Sequence, residues 1–451
     1  MPAAQSLQVM KEGMFIIMKQ IIIPGTNSNI EKNLRMYPAQ LATQSFGKLR
    51  VRCTTAGLIP VANATVTITS SVEPGTVNEQ LTTNVSGLTE EIELPAPPVD
   101  YSLEPSSEQQ PYSEYTIKMN APNFVPITIQ DSEILANVTS IQNGTFKEEA
   151  PPSGAESELY VIPPHTLFGD YPPKIAEQEV KQTFETGEIV LSRVVIPEFV
   201  VVHDGPPTDS SATNYYVRFR DYIKNVASSE IYATWPESTI EANVLAILSF
   251  TLNRVFTEWY RNQGYNFTIT SSTAFDHKWI PERNIYNNIG FAVDSLFVNY
   301  LSRPNVKQPI LTQYCDGNKV QCPNWMTQWG SKDLGAQGYS AIDILRNFYG
   351  NSIYINTAPE VSGVPASWPG TNLTIGASGA NVRMIQDQLN HISDTYTVIP
   401  KVAVNGNFDQ ATAEAVKTFQ QIFDMAQTGI VDLPTWYRIS SIYVAVTRIS
   451  E

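Results

Sequence analysis

The chain has 451 residues, enough for about two to four domains, with a formal net charge of −15, 42% hydrophobic and 16% charged residues. So acidic a chain is a poor partner for nucleic acid or an anionic lipid surface, and it suits a neutral or amphoteric polymer such as a glycan. Three cysteines exclude a disulfide scaffold. Cys315 and Cys322 either close a small loop or stay as two thiols, and Cys53 sits in a strand pattern as a buried apolar residue. No apolar run is long enough for a membrane span, and Lys19 interrupts the N-terminal run, so no signal peptide is read there.

Residues 1–45 form a leader of weak pattern. Residues 46–146 read as all-β: Leu49, Val51 and Cys53 alternate with Lys48, Arg50 and Arg52, the period of a half-buried strand. Val66 and Ile68, then Tyr115, Ile117 and Met119, repeat the pattern, and Gly57, Gly87 and Pro97-Pro98 mark turns. An antiparallel sandwich follows. Residues 147–195 are rich in proline (Pro151-Pro152, Pro163-Pro164, Pro172-Pro173) and read as an extended, protease-accessible linker.

Residues 196–357 read as α+β. Phe199 to Val202 is a strand. After Trp235-Pro236, Ile240, Val244, Ile247, Leu248, Thr251 and Val255 recur at helical spacing, with Thr234 and Glu237 placed for a capping box. Asn284 to Leu301 and Ala341 to Tyr349 are further helices. Residues 372–451 carry three short amphipathic helices, lined by Val382, Ile385 and Leu389, by Ala415, Val416, Phe419 and Phe423, and by Trp436, Tyr437 and Ile439. The expected whole is multidomain: an N-terminal β-sandwich, a central α+β domain and a small helical module.

Glu230 is the leading chemical candidate. It precedes the Trp235-Pro236 helix start and neighbours Tyr232 and Trp235. A carboxyl group among aromatic rings tends to keep its proton, because desolvation disfavours the anion, and a protonated carboxyl is what cleavage of a glycosidic bond needs. The plainer alternative is a surface or capping glutamate. Asp276 and His277 are secondary candidates, Asp276 as a charge stabiliser or second carboxylate, against a turn aspartate and a hydrogen-bonded histidine. Tyr232, Trp235, Tyr314, Asp316 and Gln328 are candidate sugar contacts. The reading requires Glu230 to face a trough for a sugar strand.

Three resemblances add to this. Pro60 to Val66 and Thr83 to Gly87 look like the strand and turn motifs of transthyretin-like sandwiches. Gly376-Ala377-Ser378-Gly379-Ala380-Asn381-Val382, Val404-Asn405-Gly406-Asn407-Phe408 and Thr412 to Gln420 resemble the type 1 peptidoglycan-binding domain, with Asn405 in place of its usual aspartate. Ser229-Glu230-Ile231 with Trp235-Pro236, then Met326-Thr327-Gln328-Trp329-Gly330 and Gln337-Gly338-Tyr339-Ser340, resemble the stage II sporulation protein D family of lytic transglycosylases. That family's motif helix departs here, with Asn243 for its glutamine and Leu248 for its arginine. Its cysteine-containing segment is Thr270 to His277 here and lacks both thiols, so no metal or other cofactor is carried over.

The combined arrangement is similar to SleC-type spore cortex-lytic enzymes. The resemblance implies a precursor activated by a subtilisin-like protease and deposition in the spore without a conventional signal peptide. It also implies cleavage of cortex peptidoglycan glycan strands to 1,6-anhydro products during germination, with Glu230 as the acid. The competing readings are a non-catalytic wall-binding amidase enhancer and a hydrolytic muramidase using Glu230 with Asp276.

Overall fold

In strand β1 (Ser45–Thr55) the alternating residues Leu49, Val51 and Cys53 are fully buried, and Lys48, Arg50 and Arg52 face outward. This pattern builds one half of a two-sheet sandwich. The structure, a computed structural model, describes residues 45–72, 78–148, 157–181 and 191–447. All of them fall within one compact unit. The predicted leader lies outside the described residues apart from Ser45.

The remaining sandwich strands are β2 (Thr65–Ser70), β3 (Asn78–Thr82), β4 (Ile92–Ala96), β5 (Tyr112–Asn120), β6 (Ile127–Leu135), β7 (Thr139–Phe146) and β8 (Glu158–Val161). One sheet runs β3-β2-β5-β6-β8. The other runs β4-β1-β7 and is extended by Ile285–Tyr286 of the central region, whose two residues pair antiparallel with Ile141 and Ser140. The sandwich and the central domain therefore share a sheet. The predicted helix from Asn284 to Leu301 is divided accordingly. Ile285–Tyr286 is strand, Asn287–Leu296 is helix, and Asn299–Ser302 is strand again. Helical periodicity alone does not see the edge of β7 that captures the first two residues.

The described parts of the predicted linker are packed rather than extended and free. Glu158–Val161 joins the sandwich beside β6, and His165, Thr166, Leu167, Tyr171 and Lys174 are buried. Apolar and aromatic residues between the prolines find a core, which outweighs the proline-rich composition. The stretches 149–156 and 182–190 on either side lie outside the described residues.

The central domain is built on helix α1 (Phe219–Glu230) and helix α2 (Glu237–Phe256). Helix α2 is buried nearly all round. Polar Asn243, Ser249, Thr251, Asn253 and Arg254 are as enclosed as Ile247 and Leu248. The predicted capping box does not form. Thr234 Oγ1 instead meets Ser102 Oγ of the sandwich at 2.7 Å, and Pro236 occupies the N-cap without a side-chain bond. Helix α3 (Asn287–Leu296), α4 (Gln328–Ala336) and α5 (Ala341–Tyr349) surround α2. Helix α4 approaches so closely that a Cβ on Gly335 would lie 2.0 Å from Thr239 Oγ1, so this position has no room for a side chain. Asn243, the departure from the family motif, donates to Ser331 Oγ of α4 at 2.8 Å.

The C-terminal module holds α6 (Ala380–Thr395), α7 (Gln410–Ile422) and α8 (Leu433–Thr447). It contains the same turn twice. Gln386 accepts from Gly406 N–H at 2.8 Å and donates to Asn407 C=O at 2.8 Å and Thr412 Oγ1 at 3.1 Å. Gln420 accepts from Gly429 N–H at 2.8 Å and donates to Ile430 C=O at 2.9 Å and Thr435 Oγ1 at 3.1 Å. Gly406 and Gly429 both take positive φ (78° and 68°), which their tight turns require. Asp409 and Asp432 accept from the N–H groups of Thr412 and Thr435, starting the next helix each time. The module sits against both other parts. Arg50 and Arg52 pair with Asp424, Tyr396 donates to Leu58 C=O, and Arg220 donates to Tyr437 C=O at 3.3 Å.

Gln386→Ala should strip a buried turn of its donor and acceptor together, costing about 1–3 kcal/mol per group left unpaired. Hydrogen exchange of the amides from 404 to 412 should accelerate in this variant while the β1 amides keep their protection.

Candidate active site

Helix α1 ends on three consecutive polar residues, Ser228, Ser229 and Glu230, all fully buried. The last carbonyls of a helix have no partner within it, so a buried end must be satisfied from outside. Three separate segments do this. Arg283 Nη2 donates to Ser228 C=O at 2.9 Å, Thr166 Oγ1 to Ser229 C=O at 2.7 Å, and Gln328 Nε2 to Glu230 C=O at 3.1 Å. Ile231 then leaves the helix in extended conformation.

The Glu230 side chain points into the interior. Oε1 accepts the Lys278 N–H at 2.6 Å and Oε2 accepts the Tyr314 hydroxyl. Burial raises the carboxyl above its ordinary value, against the opposing pull of the Lys174 ammonium and these two hydrogen bonds. The His277 ring lies parallel to Tyr314, with 5.9 Å between centroids, and shares a 3.0 Å hydrogen bond between Nδ1 and Tyr222 Oη. Burial holds its imidazole neutral, and its Nε2 finds no partner among the described residues.

Two side chains that the sequence did not point to close the space. Lys174 lies 5.0 Å from the Tyr314 ring centre and 5.2 Å from that of Phe250, and donates to Asp276 C=O. Tyr171 is buried, and its hydroxyl has no partner among the described residues. Lys319 reaches over to the carbonyls of Phe168 and Gly169, at 2.7 Å for Phe168, and so pins the same segment from the loop that the Cys315–Cys322 disulfide closes. The sequence left this pairing open, and the structure settles it.

Among the described residues no trough reaches the candidate side chains, so the expectation that Glu230 faces one is not met. Glu230, Asp276, His277, Tyr232, Trp235, Tyr314, Asp316 and Gln328 are each at most 3% exposed. The structure brings Glu230, Tyr314, Gln328 and His277 together as a buried cluster. It assigns the other candidate contacts elsewhere. Tyr232 stacks on His165 at 4.5 Å, and Trp235 Nε1 donates to Ser102 C=O of the sandwich at 2.8 Å. Asp316 accepts from Lys319 and Val320 N–H within its own loop. The partners of Tyr232 and Trp235, His165 and Ser102, both precede the central domain in the chain.

Asp276 is committed to structure. Its carboxylate receives Arg254 Nε at 2.7 Å, Tyr260 Oη at 2.6 Å, Thr270 N at 2.9 Å and Thr270 Oγ1 at 2.7 Å. Arg254 also pairs with Glu177 at 2.6 Å. Oδ2 takes three of these donors and Oδ1 takes the arginine, so the carboxylate is held in a buried ion pair that fixes its position.

Comparison with known proteins places one part of the chain. Residues 378–439 match a family described as "Putative peptidoglycan binding domain". No curated protein matches the chain. Among solved structures it is similar to a chlorocatechol 1,2-dioxygenase from Pseudomonas putida, at 10% identity, covering 26% of this chain and 58% of that one, with a TM-score of 0.15. So low a score carries no argument about fold or function.

The raised Glu230 carboxyl has a stability consequence. The unfolded chain ionises this group first, near the ordinary 4.5, so ionisation removes stability from the folded chain as pH climbs from there through the raised folded value. Glu230→Gln should therefore melt close to wild type near about pH 4 and above it near about pH 8, with the gap widening between them. Thermal melts across that range check it. Residues 378–439, and this part of the chain alone, are thus similar to a family described as peptidoglycan-binding.

Proposed function

We propose that this protein is a peptidoglycan-cleaving lytic transglycosylase in a closed precursor form, with Glu230 as its acid and the C-terminal module as its wall anchor. The observation that carries the reading is the Glu230 carboxyl, held in a dry pocket with the Tyr314 hydroxyl on one oxygen and its ionisation pushed upward. A protonated carboxyl there is suited to donate to the oxygen bridging N-acetylmuramic acid and N-acetylglucosamine. As the bond from the muramic anomeric carbon to that oxygen breaks, the muramic C6 hydroxyl bonds to the same carbon and passes its proton to the Glu230 carboxylate, which gives a 1,6-anhydro end and restores the acid, so no water and no second carboxylate is needed. The buried pairing of Asp276 with Arg254 supports this route over a hydrolytic muramidase, whose second carboxylate needs access to water.

In this reading the sandwich is a transthyretin-like pro-region, and residues 163–181 are the plug. Tyr171 and Lys174 fill the space over Glu230, and the Lys174 ammonium favours the anion there, the wrong protonation state for an acid. Activation means cutting and displacing this cover, the task of a subtilisin-like protease. The similarity to SleC-type enzymes extends the reading to spore cortex as substrate, germination as the occasion and the spore as the location.

The closure itself favours a second reading, a non-catalytic wall-binding protein that stimulates a partner amidase. A site that never opens needs no acid. Purified full-length chain and chain cut within residues 182–190, which frees the plug together with the sandwich, should differ in lysis of isolated spore wall, with 1,6-anhydro muropeptides in the digest by mass spectrometry. In the uncut chain Tyr171→Ala should raise lysis above the uncut wild type. Glu230→Gln should abolish lysis in the cut chain; full wall-lytic effect from that variant favours the amidase enhancer.

A further inference from the structure

Arg283 is the least satisfied cation in the described interior. Its side chain is 0% exposed. Nη2 donates to Glu133 Oε2 at 2.5 Å and to the Ser228 carbonyl at 2.9 Å. Its Nε and Nη1, and Glu133 Oε1 opposite, have no hydrogen-bond partner among the described residues. An arginine–carboxylate pair kept for stability would use its paired donors in a fork. A buried ion pair with orphaned atoms gains little over apolar packing of the same shape. Stability therefore does not account for this pair.

The two partners come from different parts of the chain. Glu133 lies on β6 of the sandwich, while Arg283 lies in the central domain just before the Ile285–Tyr286 strand. The central domain holds the whole glutamate, not only its charge. Tyr286 Oη donates to Glu133 Oε2 at 3.2 Å. Asn284 Nδ2 donates to the Glu133 carbonyl at 2.8 Å, and Asn284 Oδ1 accepts the Glu133 N–H at 3.2 Å. Backbone amide and carboxylate are read together, which is how an acidic residue within a peptide would be recognised. The site is also tied to the candidate acid, because the Ser228 carbonyl it holds belongs to the same last turn of α1 as Glu230.

We propose that Arg283, Tyr286 and Asn284 form a subsite for the carboxylate of a peptidoglycan stem peptide, and that Glu133 of the sandwich occupies it as a stand-in for that ligand. Stem peptides present carboxylates flanked by amides, the chemistry this pocket already holds. The proposal rests on the wall-cleaving reading for its substrate. It adds that the enzyme selects peptide-bearing strands, and that the sandwich blocks that selection as well as the acid.

Two experiments on the full-length chain test it. In the uncut chain, Glu133→Ala empties the pocket, and added propionate should then raise the melting temperature of this variant but not of wild type or of Glu133→Ala with Arg283→Met. No such rescue overturns the carboxylate pocket. In the chain cut within residues 182–190, co-sedimentation and lysis are compared between native wall and wall whose stem carboxylates have been amidated. Native wall should be favoured on the order of 10-fold or more, through KM rather than kcat. Arg283→Gln should erase the preference, Tyr286→Phe should weaken it, and Arg283→Lys should retain part of it. Equal treatment of both walls by the cut wild-type chain overturns the proposal, as does a preference that survives Arg283→Gln. If the cut chain lyses neither wall, the cleavage reading fails, while a carboxylate preference in sedimentation still supports the subsite.

Discussion

The buried end of helix α1 is the constraint around which the rest is arranged. Three polar residues in its last turn are taken completely out of water, with carbonyls that no helix can satisfy. Each carbonyl is met by a side chain from a different place. Thr166 comes from the covering segment, Arg283 from the loop that leads into the shared sheet, and Gln328 from the start of α4. The position of Glu230 thus depends on all three packing correctly. This interdependence also couples the cover to the site, because removing the segment around Thr166 takes away one of the three bonds.

The join between sandwich and central domain is of an unusual kind for two parts of one chain. It contains main-chain pairing between β7 and Ile285–Tyr286, a fully buried ion pair, and hydrogen bonds from Trp235 and Thr234 to Ser102. Backbone ladders and dry polar contacts are strongly directional, and a small slip leaves several groups unsatisfied together. Such a join holds one geometry well and tolerates intermediate ones badly.

The C-terminal module follows a simpler logic. Its two glutamines each bind a glycine turn and a threonine in the first turn of the next helix, so one small device is used twice around a core of Val382, Ile385, Leu389, Val416, Phe419 and Trp436. Aspartates at the helix starts complete each turn. Its motifs were legible in the sequence because part of the device is local: glycine, aspartate and threonine fall three residues apart in both turns, Gly406-Asp409-Thr412 and Gly429-Asp432-Thr435, while the glutamine lies 20 positions before its glycine in one and 9 in the other. The replacement of the usual aspartate by Asn405 keeps the turn, since Asn405 Oδ1 accepts the Asn407 N–H at 2.8 Å.

The sequence by itself determined the elements whose cause lies within a few residues. These include the alternation of β1, the helix Ala341–Tyr349 and the turn motifs of the C-terminal module; Glu230, read as lying ahead of a helix beside Tyr232 and Trp235, instead ends one and meets Tyr314. Only the tertiary structure decided what surrounds that turn. The proline-rich stretch reads as a linker because composition does not reveal which core its tyrosines and leucines will find, and Lys174 and Tyr171 carry no local signature. Asp276 reads as a candidate carboxylate until Arg254, twenty-two positions away, is seen to claim it. Glu133 and Arg283 are 150 residues apart, and their pairing exists only because a two-residue strand of one domain completes the sheet of another. Periodicity and capping are short-range effects, whereas burial of a charge is set by whichever distant segments arrive to enclose it.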